Sequence, residues 1–433
     1  MRPKEQQWQL KGTAMSIPFE TASSDADLPL AGIRVLDVAS YIAAPVAATM
    51  LADFGADVIK VEPPGGDGYR NLHVLPGMPI DQCDYAWQVD NRSKRGICLD
   101  LGCAEGQHIL HRLIADADVL VTNFPAPVRK KLKLRHEDLA PLNPRLIYAS
   151  LTAYGETGPE AAKTGFDSTA LWARTGLMDL VKPEPAAAPA RSLPGMGDHP
   201  TGVSLMAAIL MALYQRERTG KGGHVSTSLV ANGVWMNAFY AQAQLNQAKI
   251  PIRPHRDNAP NALANHYRCG DDRWFILALL NEDRQAAPFF KAVNRADLLV
   301  DPRFSDTPSR RQNAQVLTHI LDDMFASMPW EHWRARLEQE GITFGVVGKL
   351  SDINDDPQMR HAGAVIDMAE GADGQTIGSP LFVNGPDKRA PTPAPEIGQH
   401  STEILTELGF DTDAIDRMIE GAVIYQASSP TRV

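Results

Sequence analysis

Cysteine is scarce in this chain: Cys83, Cys98, Cys103 and Cys269 are the four thiols in 433 residues. They show neither C-x-x-C spacing nor a disulfide framework, which fits a reducing cytosol. No apolar run reaches the length needed to span a membrane. The first residues, Met1 to Pro29, lack the apolar core of a signal peptide, so a cytoplasmic protein is expected. Positive charge is also short, with 42 Lys and Arg against 52 Asp and Glu and a formal charge of −10. That balance argues against nucleic acid or an anionic membrane as the main partner. Because the basic residues are spread out, any anionic ligand must be small and met by a local pocket.

What is present is an alternation of apolar strands and amphipathic helices. Ile33 to Val38 reads as a buried strand, and Pro45 opens a helix with Val46, Met50, Leu51 and Phe54 on one face, stopped by Gly55. Asp57 to Glu62 is a second strand, completing a right-handed βαβ unit with parallel strands. Strand Gly96–Leu101, helix Ala104–Ala115 and strands Asp118–Asn123 and Arg145–Leu151 continue the pattern as an open doubly wound α/β sheet. In such sheets a ligand sits at the carboxyl ends of the strands. The dinucleotide fingerprint is missing there: Ser40-Tyr41-Ile42-Ala43-Ala44-Pro45 follows the first strand, which argues against a nicotinamide dehydrogenase. Thr219-Gly220-Lys221-Gly222-Gly223 has the wrong spacing for a phosphate loop and reads as a turn before strand His224–Leu229. Beyond Pro251 the chain becomes a separate α+β region, with a hairpin over Tyr267–Leu280 turning at Gly270-Asp271-Asp272 and helices Arg284–Val293, Arg310–Met328 and Trp330–Glu340. The expected organisation is a flexible extension (1–29), a large Rossmann-like domain (30–230), a linker (231–260), a small α+β domain (261–350) and a segment (351–433) that returns to the large domain or to a partner subunit.

Asp198 carries the most chemistry. It follows Gly195-Met196-Gly197 and precedes the apolar helix Val203–Leu213, so a carboxylate is expected in an open glycine and proline loop at a helix start. That is how a protein presents a nucleophilic Asp; for an isolated Gly-Asp, a turn or helix cap is the plainer role. The basic run Arg129-Lys130-Lys131-Lys133 comes just after a strand ends, where an α/β sheet binds anions, and a solvated helix face is its equal alternative. Gly66-Asp67-Gly68 is a loop at the same edge or a plain turn. His108 and His111 lie three residues apart on a helix with no third ligand at suitable spacing, so no metal site is assigned.

Several short segments, in order, resemble the type III CoA-transferase family, which includes formyl-CoA transferase, carnitine CoA-transferase and α-methylacyl-CoA racemase. They are Leu30–Asp37, Leu51–Glu62, Asn91-Arg92-Ser93-Lys94-Arg95, Asp118–Phe124, Tyr154-Gly155-Glu156-Thr157-Gly158-Pro159 and Arg218–Gly222. The resemblance runs through nearly the whole chain from Leu30. It implies an interlocked homodimer, each chain with a large Rossmann-like domain and a smaller α+β domain. It also implies Asp198 as nucleophile, and CoA along the sheet's carboxyl edge near Asn123, Phe124 and Lys131, with Lys130 as a neighbour and Ile42 in the pocket. Coenzyme A enters as substrate; no permanently bound cofactor is implied.

Three departures refine this. The racemases have His-Asp where Phe166-Asp167 stands, and phenylalanine accepts no proton. A second racemase acid aligns near Asn281, with Glu282 beside it. The glycine-rich closing loop of formyl-CoA transferase has no counterpart between Val230 and Leu280. The reading is therefore a transferase that moves CoA from an acyl-CoA to a carboxylic acid through an aspartyl anhydride and an aspartyl-CoA thioester, with an acyl-CoA racemase as the alternative and a non-catalytic CoA-binding protein disfavoured by the intact Gly197-Asp198. Arg174 and Arg191 are candidates for holding the second carboxylate of a dicarboxylic acid such as succinate, or are surface charges.

Overall fold

The computed structural model describes residues 25–383 and 388–426. The expected N-terminal extension lies, up to residue 24, outside the described residues. The chain divides into two compact units: residues up to 164 with 198–228 and 363 onward, and residues 165–197 with 229–362.

The first unit is built on a seven-stranded sheet. Its strands are β1 (Arg34–Asp37), β2 (Asp57–Glu62), β3 (Arg95–Leu99), β4 (Val119–Thr122), β5 (Ile147–Thr152), β6 (Gly223–Ser228) and, from near the end of the chain, β12 (Ile424–Tyr425). They run in the order β12-β3-β2-β1-β4-β5-β6, all neighbours parallel except β12, which pairs antiparallel with β3. This is the doubly wound order, and the crevice where it reverses lies between β1 and β4. Both faces are covered, so β1 to β5 are buried almost throughout, which explains why they read as unbroken apolar runs rather than alternating ones. Every residue of helix Ala43–Asp53 is buried, and this helix packs on the long helix Asp198–Thr219. Their crossing is close at Gly202, where a Cβ would lie 2.8 Å from the Ala43 carbonyl oxygen. The late part of the chain is tied to this sheet: Trp87 Nε1 and Arg70 Nη2 donate to the Pro395 carbonyl at 3.1 and 2.8 Å, and Ser401 Oγ donates to that of Tyr425 at 2.7 Å. A small antiparallel pair, β10 (Val365–Asp367) and β11 (Gln375–Ile377), belongs to the same unit.

The second unit contains a three-stranded antiparallel sheet of β7 (His266–Arg268), β8 (Trp274–Leu277) and β9 (Phe344–Val346). The hairpin expected from the sequence forms, with Asp272 in the left-handed region (φ 63°) at its turn; the third strand was not expected. Helices Glu282–Ala292, Ala314–Ala326 and Trp330–Gln339 close an aromatic core of Phe275, Phe289, Phe325, Trp330 and Trp333 against this sheet. The unit also holds a π-helical segment, Asp167–Ala173, and helices Leu229–Met236 and Ala238–Leu245. The architecture is mixed α/β with a large parallel sheet.

Candidate active site

The loop after β1 is fixed by polar side chains from three other elements. Asn123, just past β4, accepts from the Ser40 amide at 2.9 Å and donates to the Ser40 carbonyl at 2.7 Å, clamping the loop at the crevice. Ser40 Oγ donates to Asp67 at 2.6 Å, and the same carboxylate oxygen caps the turn at Tyr69 N (3.0 Å). Behind them Lys60 Nζ lies 3.1 Å from Asp67 and donates to the Ala39 carbonyl at 2.7 Å. Burial pulls the Lys60 pKa down, but Asp37, Asp67 and Glu62 outweigh it and hold the ammonium above its ordinary value. Asp67 is the counterpart: burial raises it, and Lys60, Ser40 and the Tyr69 amide bring it below the usual carboxylate range. Lys94 shares Asp37 at 2.8 Å, yet burial dominates there and its pKa falls to about 8. Two sealed ammonium groups on one carboxylate cannot both be equally well paid in charge, and Lys60, with three acids around it, is the better served.

Asp198 is the first residue of a 22-residue helix. This corrects the sequence reading, which set it in a loop ahead of a helix beginning at Val203. Pro200 is accommodated because first-turn N–H groups need no intrahelical acceptor. Asp198 is half-buried, and it is near enough to Tyr69 to oppose ionisation of that phenol. Burial first, then Asp90, Asp84 and Asp198, push the Tyr69 pKa far up, so the group stays a protonated donor. Its hydroxyl donates to Asp90 Oδ2 at 2.5 Å, while Asp90 Oδ1 faces His199 Nε2 at 3.0 Å. Asp198, His199, Tyr69 and Asp90 thus form one cluster beside the crevice loop. Sequence reasoning missed Tyr69 and Asp90. Their signal was position, Tyr69 directly after Gly66-Asp67-Gly68 and Asp90 directly before the Asn91-to-Arg95 segment, and neither residue type there is distinctive.

The other residues expected to contact CoA all lie in the first unit. Ile42 is buried at the start of helix Ala43–Asp53, and Phe124 packs partly against the apolar core. Lys130 and Lys131 are exposed on the short helix Ala126–Lys131. Arg129 departs from the basic face expected of it: it is buried, bonded to Glu156 at 2.8 Å. Glu156 also accepts from Ser150 at 2.5 Å, and Ser150 Oγ lies 2.7 Å from His224 Nε2. His108 sits edge-on to Phe410, and among the described residues no group of three metal-ligating side chains occurs.

Within the second unit, Asp167 accepts from the Gly197 amide at 3.0 Å and from Ser168 N at 2.6 Å, so it anchors the residue that precedes Asp198 in the chain. A Cβ on Gly197 would lie 2.9 Å from both Asp167 Cβ and Leu171 Cδ1, which is why only glycine serves there. Phe166 is exposed at the head of the π-helical segment. Asn281 caps its helix, accepting from Arg284 N at 3.3 Å, and Glu282 is buried between Arg310 (3.2 Å) and Arg311 (3.0 Å). Both are structurally engaged.

A doubly wound parallel sheet with a carboxylate at the head of a 22-residue helix defines the class as α/β. The chain matches the model of CoA-transferase family III over residues 30–401, and it belongs to that family. It is 32% identical to (R)-2-hydroxy-4-methylpentanoate CoA-transferase of Clostridioides difficile, over 91% of this chain and 99% of that one. It is also 32% identical to succinyl-CoA:glutarate CoA-transferase of Mus musculus, over 93% and 92% of the two chains. Among solved structures it resembles a CAIB/BAIF family protein from Brucella suis, with a TM-score of 0.78, 31% identity and coverage of 88% of this chain and 100% of that one. The protein is a type III CoA-transferase, an enzyme of acyl-CoA substrates. No described helix is long and apolar enough to cross a membrane.

Proposed function

We propose that the enzyme moves CoA from an acyl-CoA thioester to a free carboxylic acid, with Asp198 as the covalent nucleophile. The observation that carries this reading is the placement of Asp198 at the head of a 22-residue helix in a family III chain. A carboxylate needs no base to ionise at neutral pH, its unperturbed pKa being about 4. Asp198 attacks the thioester carbonyl, giving a mixed anhydride and CoA thiolate. The thiolate attacks the Asp198 carbonyl, releasing the donor acid and leaving an aspartyl-CoA thioester. The acceptor carboxylate then attacks that thioester, and the steps run in reverse. No ATP is needed because one thioester is spent as another forms. The tetrahedral oxyanions require fixed N–H donors, which the start of the helix headed by Asp198 is proposed to supply.

CoA itself is proposed to lie along the carboxyl edge, past Asn123 and Phe124, with Lys131 and Lys130 meeting its phosphates and Ile42 under the reactive end. Phosphate recognition fits these exposed lysines better than it would fit Arg129, which is buried and paired with Glu156. Binding energy from this remote handle is what positions the thioester. The acid partners named for relatives, a branched 2-hydroxy acid and the dicarboxylates succinate and glutarate, frame the acceptor as a small carboxylic acid. We also propose an interlocked homodimer. In the second unit the large apolar side chains Trp235, Phe239 and Leu245, on successive helices, are exposed, and a partner subunit is proposed to cover them.

The test is mass spectrometry of the purified enzyme after incubation with a panel of acyl-CoAs. A CoA or acyl adduct on the Asp198 peptide is expected, together with loss of adduct and transfer in Asp198→Ala. Transfer surviving in Asp198→Ala would end the reading.

A further inference from the structure

Asp90 is held on every side, and the chemistry of its contacts fixes a neighbour. Its side chain is 1% exposed. One carboxylate oxygen accepts from Tyr69, the other faces His199 Nε2, and its backbone carbonyl accepts from Lys94 Nζ at 2.9 Å and from Thr49 Oγ1. An ionised carboxylate only accepts hydrogen bonds, so the Nε2 atom of His199 carries a proton and the plane of the ring is set. His199 keeps about half of its side chain exposed (49%) and directly follows Asp198.

The charge balance of this edge gives the histidine a task. Asp37, Glu62, Asp67, Asp90 and Asp198 are all carboxylates of the same unit. The lysines among them, Lys60 and Lys94, are completely buried, and Arg70 is committed to Glu62 at 2.7 Å and to the face of Trp87. A thioester brings no charge to the reacting carbon, but the acid that reacts with aspartyl-CoA arrives as an anion. We propose that His199 binds the carboxylate of that incoming acid in the CoA-loaded enzyme, with Asp90 as the positioning residue behind it. The imidazolium form places one positive charge between the two carboxylates, of Asp90 and of the substrate, and so offsets the repulsion an acid meets at this wall. Of the titratable groups around it, Asp90 faces its Nε2 directly, the Tyr69 phenol bonds to the other oxygen of Asp90, and Asp198 precedes it in the chain.

This inference rests on the proposed function, and half-reactions separate the two. The rate of adduct formation from acyl-CoA and the KM for the acceptor acid are measured for the wild type, His199→Gln and Asp90→Asn. His199→Gln is expected to raise the acceptor KM about tenfold or more, as loss of a charge-assisted contact does, while adduct formation changes by less than about threefold. In the wild type the acceptor KM is expected to rise with pH, and in His199→Gln to be flat. Asp90→Asn is expected to act in the same direction; if it does not fold, His199→Gln decides alone. An unchanged acceptor KM, or an equal fall in both half-reactions, overturns the role of His199. Absence of any adduct in the wild type would instead strike the proposed function.

Discussion

At the scale of single residues, the ion pairs of the first unit divide into those that hold the fold and those that face the reaction. Arg129 is the clearest of the first kind. The sequence shows it as one of four neighbouring cations, and nothing in a string of basic residues says which one turns inward. Its partner Glu156 lies far along the chain, and burial of a charge is decided by such partners rather than by local pattern. Removing Arg129 leaves Glu156 and the Ser150 hydroxyl without their cation in a site where the arginine side chain is 6% exposed. Arg129→Ala is therefore expected to cost about 3 kcal/mol, read as a fall in the urea midpoint at unchanged slope. Lys131→Ala, at an exposed position, is expected to leave that midpoint nearly unchanged and to raise the KM for acyl-CoA. Equal loss of stability in both variants would refute the distinction. The Gly197-Asp198 pair stands out in the sequence by its neighbours; the Tyr69–Asp90 contact does not, because it joins residues that local spacing does not connect.

At the scale of elements, the strands were legible where burial on both faces made them continuous apolar runs, as in β1, β2 and β4. Boundaries were less so. The long helix begins at Asp198, where an acidic residue suits the positive end of the helix dipole, whereas an apolar pattern alone starts it at Val203. The Thr219-to-Gly223 segment turns only over Gly220 to Gly222, between the long helix and β6, and the approach is tight. A Cβ on Gly222 would lie 2.1 Å from the Leu146 carbonyl oxygen and 2.5 Å from that of Arg145, where β6 comes alongside β5. Gly222→Ala is expected to destabilise by about 3 kcal/mol, and a thermal midpoint matching that of the wild type would show the crossing to be looser than it is drawn. Acid should also loosen these elements. His224, His266 and His400 all have pKa values lowered, in each case first by burial. As pH falls from the ordinary value of 6.5 the unfolded chain takes up protons before the folded one does, so stability is lost on acidification through that window. The melting temperature is expected to be lower at pH 5.5 than at pH 7.5, and the difference to shrink when the three are replaced by Gln. A difference of the same size in the triple variant would exclude these histidines as its source.

For the whole molecule, the proposal of interlocked subunits predicts that dilution alone does not separate them, because parting linked chains requires unfolding. Sedimentation at nanomolar concentration is expected to show a dimer, and a folded monomer there would remove the idea. The path of the chain has a further consequence for how the protein comes to be. The edge of β3 that β12 covers is made early, whereas β12 itself is Ile424 and Tyr425. During synthesis that edge leaves the ribosome with its N–H and C=O groups unmatched and waits for hundreds of residues, the whole second unit among them, before its last strand arrives. A nascent chain in this state is a template for pairing with its own copies, so its yield in the cell should depend on holdase chaperones more than the stability of the finished enzyme would suggest.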